Sequence, residues 1–274
     1  MSSGLRTRLL TSLVLAPSVV LAILYLPRWG FAILVSVMML AAFWEWSRLS
    51  GVPGRPLRAV LTILLGLAFV GLAMQPHERL LWPAAVAVAF WALALFWLFA
   101  PQFAASDTPT HRILKTLAGI ILLCGAWAGA VHIRDGLPGG PTWLIVCLAV
   151  IYGGDSFAYF VGSRVGGRKL APRISPGKTW AGLSGAVAGV APLALALGWL
   201  KGLEGRTLAL WMLLAMACLL LSVLGDLVES IMKRHRQVKD SGRLFPGHGG
   251  VLDRGDSLFA ALPAFALGLA WLLS

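Results

Sequence analysis

Charge is what this sequence has least of. Only 12% of its 274 residues are Asp, Glu, Lys or Arg, and the acids number eleven in all. A soluble domain commits about a quarter of its residues to charge. Together with a hydrophobic fraction of 58% and a mean hydropathy of +0.82, that scarcity excludes a water-soluble globular chain. Cysteine is almost as rare. Cys124, Cys147 and Cys218 fall inside apolar runs and none is spaced as a metal or redox pair, so they read as small core hydrophobes. No internal repeat, low-complexity tract or nucleic-acid recognition module is present, so the net charge of +12 does not point to nucleic acid.

What the chain does have is long apolar runs. A helix needs about 20 apolar residues to span a hydrocarbon core of roughly 30 Å, because every backbone polar group in lipid must be paired within the segment. Runs of that kind cover 9–26, 30–49, 57–74, 80–100, 113–133, 142–162, 180–200, 207–228 and 257–273. The predicted fold is all-α, a polytopic integral membrane protein with about nine transmembrane helices. The first run follows Arg6 and Arg8, yet it is long, contains Pro17 and lacks a small-x-small cleavage site, so it is expected to be a retained helix.

With the N-terminus in the cytoplasm, 18 of the 23 Lys and Arg residues fall in cytoplasmic segments and only Arg28, Arg79, Arg134, Lys201 and Arg206 fall outside. That is the asymmetry that orients membrane proteins. The chain divides into N-terminal helices over 1–140 and a C-terminal region over 141–274, whose cytoplasmic loops 163–179 and 229–256 are its longest polar stretches.

Five of the eleven acids, Asp226, Glu229, Asp240, Asp253 and Asp256, crowd into one segment. Ser222, Asp226, Glu229, Ser230 and Lys233 recur every three or four residues and form one polar stripe if the eighth helix continues past the bilayer. Acids near a helix C-terminus oppose the helix dipole unless a cation compensates. In the sixth span Tyr152, Asp155, Ser156, Tyr159 and Ser163 share a face, and an intramembrane carboxylate is by default functional. Glu78, Asp107, Asp135 and Glu204 read as ordinary loop charges, and Glu45 as the local ion-pair partner of Arg48.

The run RISPGKTW at 173–180 resembles the tail of a P-loop, but that motif needs a glycine at 172 and a preceding strand, whereas Pro172 follows a basic loop. What remains is a Ser/Thr/Lys cluster before a helix N-terminus, a place that favours phosphate. Downstream, GHGG provides flexible backbone that can approach an anion, and Asp253 and Asp256 follow it into the ninth helix. Hard carboxylate oxygens for an ion, with Lys and Arg for phosphates, read as a magnesium and polyphosphate site.

The segment SIMKRHRQVKDSGRLFPGHGGVLDRGD at 230–256 resembles the signature of the phosphatidate cytidylyltransferases, or CDP-diacylglycerol synthases. Its elements stand at Ser230, Lys233, Arg234, Lys239, Asp240, Gly242, Pro246, His248, Gly249, Gly250, Asp253, Arg254 and Asp256. GDLVES at 225–230, GGDSFAY at 153–159 and SPGKTW at 175–180 also look like features of that family, in the same order.

The resemblance implies a magnesium-dependent condensation of CTP with phosphatidic acid at the cytoplasmic membrane face, giving CDP-diacylglycerol and pyrophosphate. On that reading Asp226, Asp253 and Asp256 are the expected metal ligands. Glu229 and Asp155 are second choices, for a second cation or for orienting a ligand. Lys178, Lys233, Lys239 and Arg254 are expected on phosphates, with Ser175, Thr179 and Ser230 as donors, and Asp240, His248, Gly249 and Gly250 join them as signature residues at the substrate site. The resemblance is also compatible with a homodimer. The rivals are a CTP-dependent polyprenol kinase and a polytopic transporter; a phosphatidyl transferase would require a DGxxAR-type motif that is absent.

One position departs from the signature: Gly255 stands where the family has an aliphatic residue or threonine. If 253–256 begin the ninth helix, Gly255→Ile is expected to raise stability and to preserve or improve magnesium affinity. The competing expectation is a positive φ or a close phosphate, with which isoleucine would clash.

Overall fold

A computed structural model describes residues 3–244 and 249–274, with side chains from residue 13 onward. Nine α-helices account for nearly all of it. They are α1 (Ser3–Tyr25), α2 (Arg28–Ser50), α3 (Arg55–Ala73), α4 (Leu81–Trp97), α5 (Pro109–Val131), α6 (Gly140–Val165), α7 (Trp180–Leu200), α8 (Gly205–His235) and α9 (Leu252–Leu272). Eight of these, α2 to α9, are long and apolar enough to cross a membrane among the described residues, and α1 adds the apolar stretch Leu13–Tyr25. The all-α polytopic reading holds.

The helices alternate in direction, so their connections collect at two ends. At one end the side chain of Arg236 donates to the carbonyl of Leu49, that of Arg234 to Ile174, and His235 meets the carbonyl of Pro101, tying the end of α8 to the end of α2 and to the segments after α4 and α6. At the opposite end Arg134 reaches the carbonyls of Ile23 and Leu26, and His132 meets the carbonyl of His77. The first end is the one that carries the excess of Lys and Arg.

Two expectations about loop charges change here. Arg134 is buried, paired with Asp135 at 2.6 Å and stacked over Phe31, because a short π-helical turn at His132–Gly136 carries it back into the bundle. Asp107 ties the α4–α5 connection to the end of α8, accepting from Arg112 at 2.8 Å and from Arg236 at 2.8 Å. Hydrogen bonds from Arg112 and then Arg236 hold its carboxyl well below the ordinary range.

The segment 163–179 is not simply a loop. Strand β1 (Lys169–Ala171) pairs antiparallel with β2 (Ser175–Thr179), Lys169 opposite Thr179 and Ala171 opposite Ser175. Strands of three and five residues, one of them containing Pro176 and Gly177, carry no alternating pattern that a sequence reading could detect. The P-loop remains excluded on different grounds, since Lys178 and Thr179 lie within β2 itself. Thr179 ends the hairpin and caps α7, its Oγ1 accepting from the N–H of Gly182 at 3.0 Å.

Packing relies on small residues and on indoles, of which Trp46, Trp127 and Trp211 have their N–H groups paired. Within lipid, close backbone approach replaces hydrophobic driving force. A Cβ at Gly225 of α8 would strike the carbonyl of Asp256 in α9, so that glycine sets how closely the two acid-bearing helices meet. Trp211 lies between Trp143 and Phe265 and donates to the carbonyl of Ala194 at 2.8 Å. Cys147 and Cys218 are fully buried and unbridged, as expected of small core residues.

Gly255 lies in the first turn of the ninth helix as expected, but without the room there that a gain in stability from isoleucine requires. It lies inside α9 with its N–H on the carbonyl of Val251 at 3.1 Å, and its φ is not among the positive values. A Cβ there would overlap the ring of Phe259, one turn on, which is itself buried. Overpacking of this kind costs about 1–3 kcal/mol. Gly255→Ile is therefore predicted to lower the melting temperature in detergent, and Phe259→Leu added to it to recover part of the loss. Thermal unfolding of the two variants checks this.

Candidate active site

Four elements bring the polar residues together at the basic end: the last turns of α8, the first turn of α9, the hairpin, and the second half of α6. Helix α8 makes this possible by its length. Its 31 residues extend about 45 Å, well beyond a hydrocarbon core of roughly 30 Å, so the polar stripe predicted for it is a continuous helical face.

Lys233 is the hub of the site. Its Nζ lies 2.6 Å from Glu229 Oε2 and 2.8 Å from Asp253 Oδ1, joining α8 to α9. Glu229 is 1% exposed, and its other oxygen, Oε1, has no hydrogen-bond partner among the described residues. Asp253 is fully engaged: Oδ2 accepts from Ser241 N and Gly250 N, each at 2.8 Å, with Ser241 Oγ at the same distance.

A second pair sits beside the first. Lys178 Nζ, delivered by β2, lies 2.7 Å from Asp226 Oδ2, and Ser230 Oγ donates to Asp226 Oδ1 at 3.3 Å. Asp226, Glu229 and Lys233 all act electrostatically on Asp256, whose Oδ1 accepts from the N–H of Ser257 at 2.7 Å. Asp155 of α6 feels Lys178, Asp226 and Arg254. Its neighbour one turn back, Tyr152, donates from its hydroxyl to the carbonyl of Arg254 at 3.1 Å and so fastens α6 to the start of α9.

The structure thus gathers Asp155, Lys178, Asp226, Glu229, Ser230, Lys233, Asp253, Arg254 and Asp256 around one locus. It gives others different work. Thr179 serves as a helix cap, and Ser175 lies in β2 opposite Ala171. Lys239 and Asp240 are exposed in the wall of a cavity of about 680 Å³, which Arg48, Arg236 and Arg243 also line. Gly249 has φ +84°, and a Cβ on it would meet Asp253 Oδ2 at 2.6 Å, so both its conformation and its contact require glycine. His248 lies outside the described residues.

Sequence reasoning passed over Glu45. It is 7% exposed, and its partners are not Arg48 but the far segment: Ser241 Oγ at 2.8 Å and Leu252 N at 2.9 Å on Oε2, and Val251 N at 3.1 Å on Oε1. Arg48 instead donates to the carbonyl of Ser241. The cost of burying a carboxylate, the argument that singled out Asp155, would have found Glu45 as well.

Among the described residues no three His, Cys, Asp or Glu side chains converge as a ready metal cage. The locus sets five carboxylates among Lys178, Lys233 and Arg254: Lys233 bridges Glu229 and Asp253, and Lys178 pairs with Asp226.

Comparison with known proteins bears on this geometry. A model of a family described as the cytidylyltransferase family matches residues 6–272. A phosphatidate cytidylyltransferase of Pseudomonas aeruginosa is 37% identical over 271 residues, covering 97% of each chain. Proteins of the same name from Haemophilus influenzae and Bacillus subtilis are 33% and 34% identical, covering 96% and 94% of this chain and 97% and 95% of theirs. A match that runs through every helix and the whole charged locus leaves one conclusion: the chain belongs to the cytidylyltransferase family.

Proposed function

We infer that this protein condenses CTP with phosphatidic acid to CDP-diacylglycerol and pyrophosphate at the cytoplasmic face of a membrane. The observation that carries the inference is the lysine-bridged carboxylate locus at the basic end of a helical bundle, within a chain akin to phosphatidate cytidylyltransferases along its length. A lipid phosphate stays at the bilayer interface, a polyphosphate arrives from water, and the locus lies where the two meet.

In the proposed reaction a phosphate oxygen of phosphatidic acid attacks the α-phosphorus of CTP, and the bond from that phosphorus to the bridging oxygen breaks, releasing pyrophosphate. The nucleophile is already an anion, so the reaction calls for positioning and charge neutralisation more than for a strong base. Lys178 supplies mobile positive charge that exchanges its carboxylate partner for phosphate oxygens, and Lys233 presents them a fixed positive charge. Arg254, exposed beside them, is a further phosphate ligand. The cavity lined by Arg48, Arg236, Lys239 and Arg243 offers the triphosphate a cationic approach from the basic end.

Magnesium fits the donor set. The ion is commonly held by one or two carboxylates, with water and substrate phosphates completing its shell, so a three-acid cage is not needed. Asp226 and Asp256 are its proposed holders, and the unpartnered Oε1 of Glu229 is the third oxygen at hand. When bound, the ion would neutralise charge on the phosphates. Asp253, engaged at both oxygens and only 5% exposed where Asp226 is 30%, serves instead to hold Lys233 and the 241–250 backbone in place.

Purified protein given magnesium, CTP and phosphatidic acid is expected to form pyrophosphate and a CDP-lipid; CDP together with a phosphorylated lipid alcohol would identify a polyprenol kinase instead. Asp226→Asn and Asp256→Asn should each lower turnover more than tenfold, a barrier change above about 1.4 kcal/mol, while the protein stays folded in detergent. A chelator should reproduce both losses. A variant that keeps its rate is no ion holder.

Orientation is tested with an impermeant thiol reagent on a Cys124→Ala background, since Cys147 and Cys218 are buried and Cys124 only partly so. Arg168→Cys and Arg243→Cys are expected to label from the cytoplasmic side only, and Arg79→Cys and Glu204→Cys from the opposite side only. All four native residues are exposed. Arg134 is unsuitable because it is buried.

A further inference from the structure

Glu45 stands far in sequence from the charged locus, yet it is hydrogen-bonded to the segment leading into it. Its Oε1 accepts from Val251 N and its Oε2 from Leu252 N, at 3.1 and 2.9 Å. These are amides at the very start of α9, which has no side-chain cap of its own. Free N–H groups at a helix start need acceptors and favour negative charge. Here the acceptor comes from another helix, α2.

The same carboxylate explains two glycines. A Cβ at Gly242 or at Gly250 would overlap the Glu45 carboxylate, and a Cβ at Gly242 would also lie 2.9 Å from the Cα of Gly250. Neither glycine has a positive φ. They are therefore needed for space around Glu45 and not for a turn. The glycine-rich backbone closes on a side chain of this protein at these two positions.

From Glu45 a path of hydrogen bonds leads to the lysine hub. Ser241 Oγ donates to Glu45 Oε2 at 2.8 Å, Ser241 N donates to Asp253 Oδ2 at 2.8 Å, and Asp253 Oδ1 lies 2.8 Å from Lys233 Nζ. Glu45 thus sets the start of α9, where Asp253 and Asp256 sit, and the anchor that aims Lys233.

We propose that Glu45 is a positioning residue for nucleotidyl transfer, acting through Ser241, Asp253 and the first amides of α9 on Lys233 and Asp256. This rests on the cytidylyl-transfer reading above. The role predicts a particular kinetic signature, since Glu45 hydrogen-bonds to none of Lys178, Lys233 and Arg254. Glu45→Gln keeps the shape but replaces one acceptor by a donor facing an N–H. It is expected to lower kcat at least tenfold, change the KM for CTP less than threefold, and leave a cooperative melting transition.

Gly250→Ala tests the contact itself. In the native background its methyl meets the carboxylate, and a loss of more than tenfold in kcat and a lowered melting temperature are expected. In the Glu45→Ala background that space is open, so the further loss in kcat should be under threefold and the further change in melting temperature small. Equal losses in the two backgrounds would overturn the contact. A Glu45→Gln protein that melts lower but keeps its kcat within twofold would overturn the positioning role and leave Glu45 a stabilising cap. A wild-type chain that forms no CDP-lipid would instead overturn the reaction on which the role depends, while the melting temperatures of the four proteins would still report on the contact.

Discussion

One ammonium group holds the site together. Lys233 Nζ lies between Glu229 and Asp253, acids on two different helices, in surroundings that leave the lysine side chain 13% exposed and the two acids 1% and 5% exposed. Charges removed from water to that extent persist only when paired and hydrogen-bonded. Removing one member of such a group leaves another uncompensated, which costs roughly 3–5 kcal/mol in comparable buried pairs. The approach of α8 to α9, the engagement of Asp253 and the course of the 241–252 backbone all follow from keeping that ammonium surrounded by oxygen.

The remainder of the locus repeats the principle at a shallower depth. Lys178 and Asp226 pair at 2.7 Å with side chains 23% and 30% exposed, so their mutual attraction is weaker and their partners are easier to exchange. A buried, fixed lysine beside a more exposed one suits a reaction in which incoming phosphates must displace some partners without dismantling the scaffold. The hairpin and α6 bring Lys178 and Asp155 to this shallower rim, whereas α2 supports the deeper side through Glu45.

Much of this was legible in the residues. Hydropathy gave the spans because lipid forces backbone pairing into continuous apolar helices. The stripe of α8 was visible because a helix repeats every 3.6 residues whatever surrounds it. The clustering of Asp226, Glu229, Asp253 and Asp256 pointed to the site because acids are so few. Other features were not legible. The β1–β2 hairpin had no pattern to show. Glu45 looked like a partner of Arg48 because a sequence displays neighbours one turn apart, and the segment that binds Glu45 begins about 200 residues later. Gly255 looked like a missing contact, although Phe259 already fills that volume.

The sequence by itself determined that the chain is a membrane bundle, which end of it is basic, and which acids and lysines are candidates for its chemistry; these depend on composition and local period, which folding does not alter. Only the tertiary structure decided which acid meets which base. It gave Asp253 to Lys233 and Asp226 to Lys178, and it set Glu45 beneath the glycine-rich segment. Pairing of buried charges depends on distances of a few ångströms between helices far apart in the chain, and those distances exist only once the helices have packed.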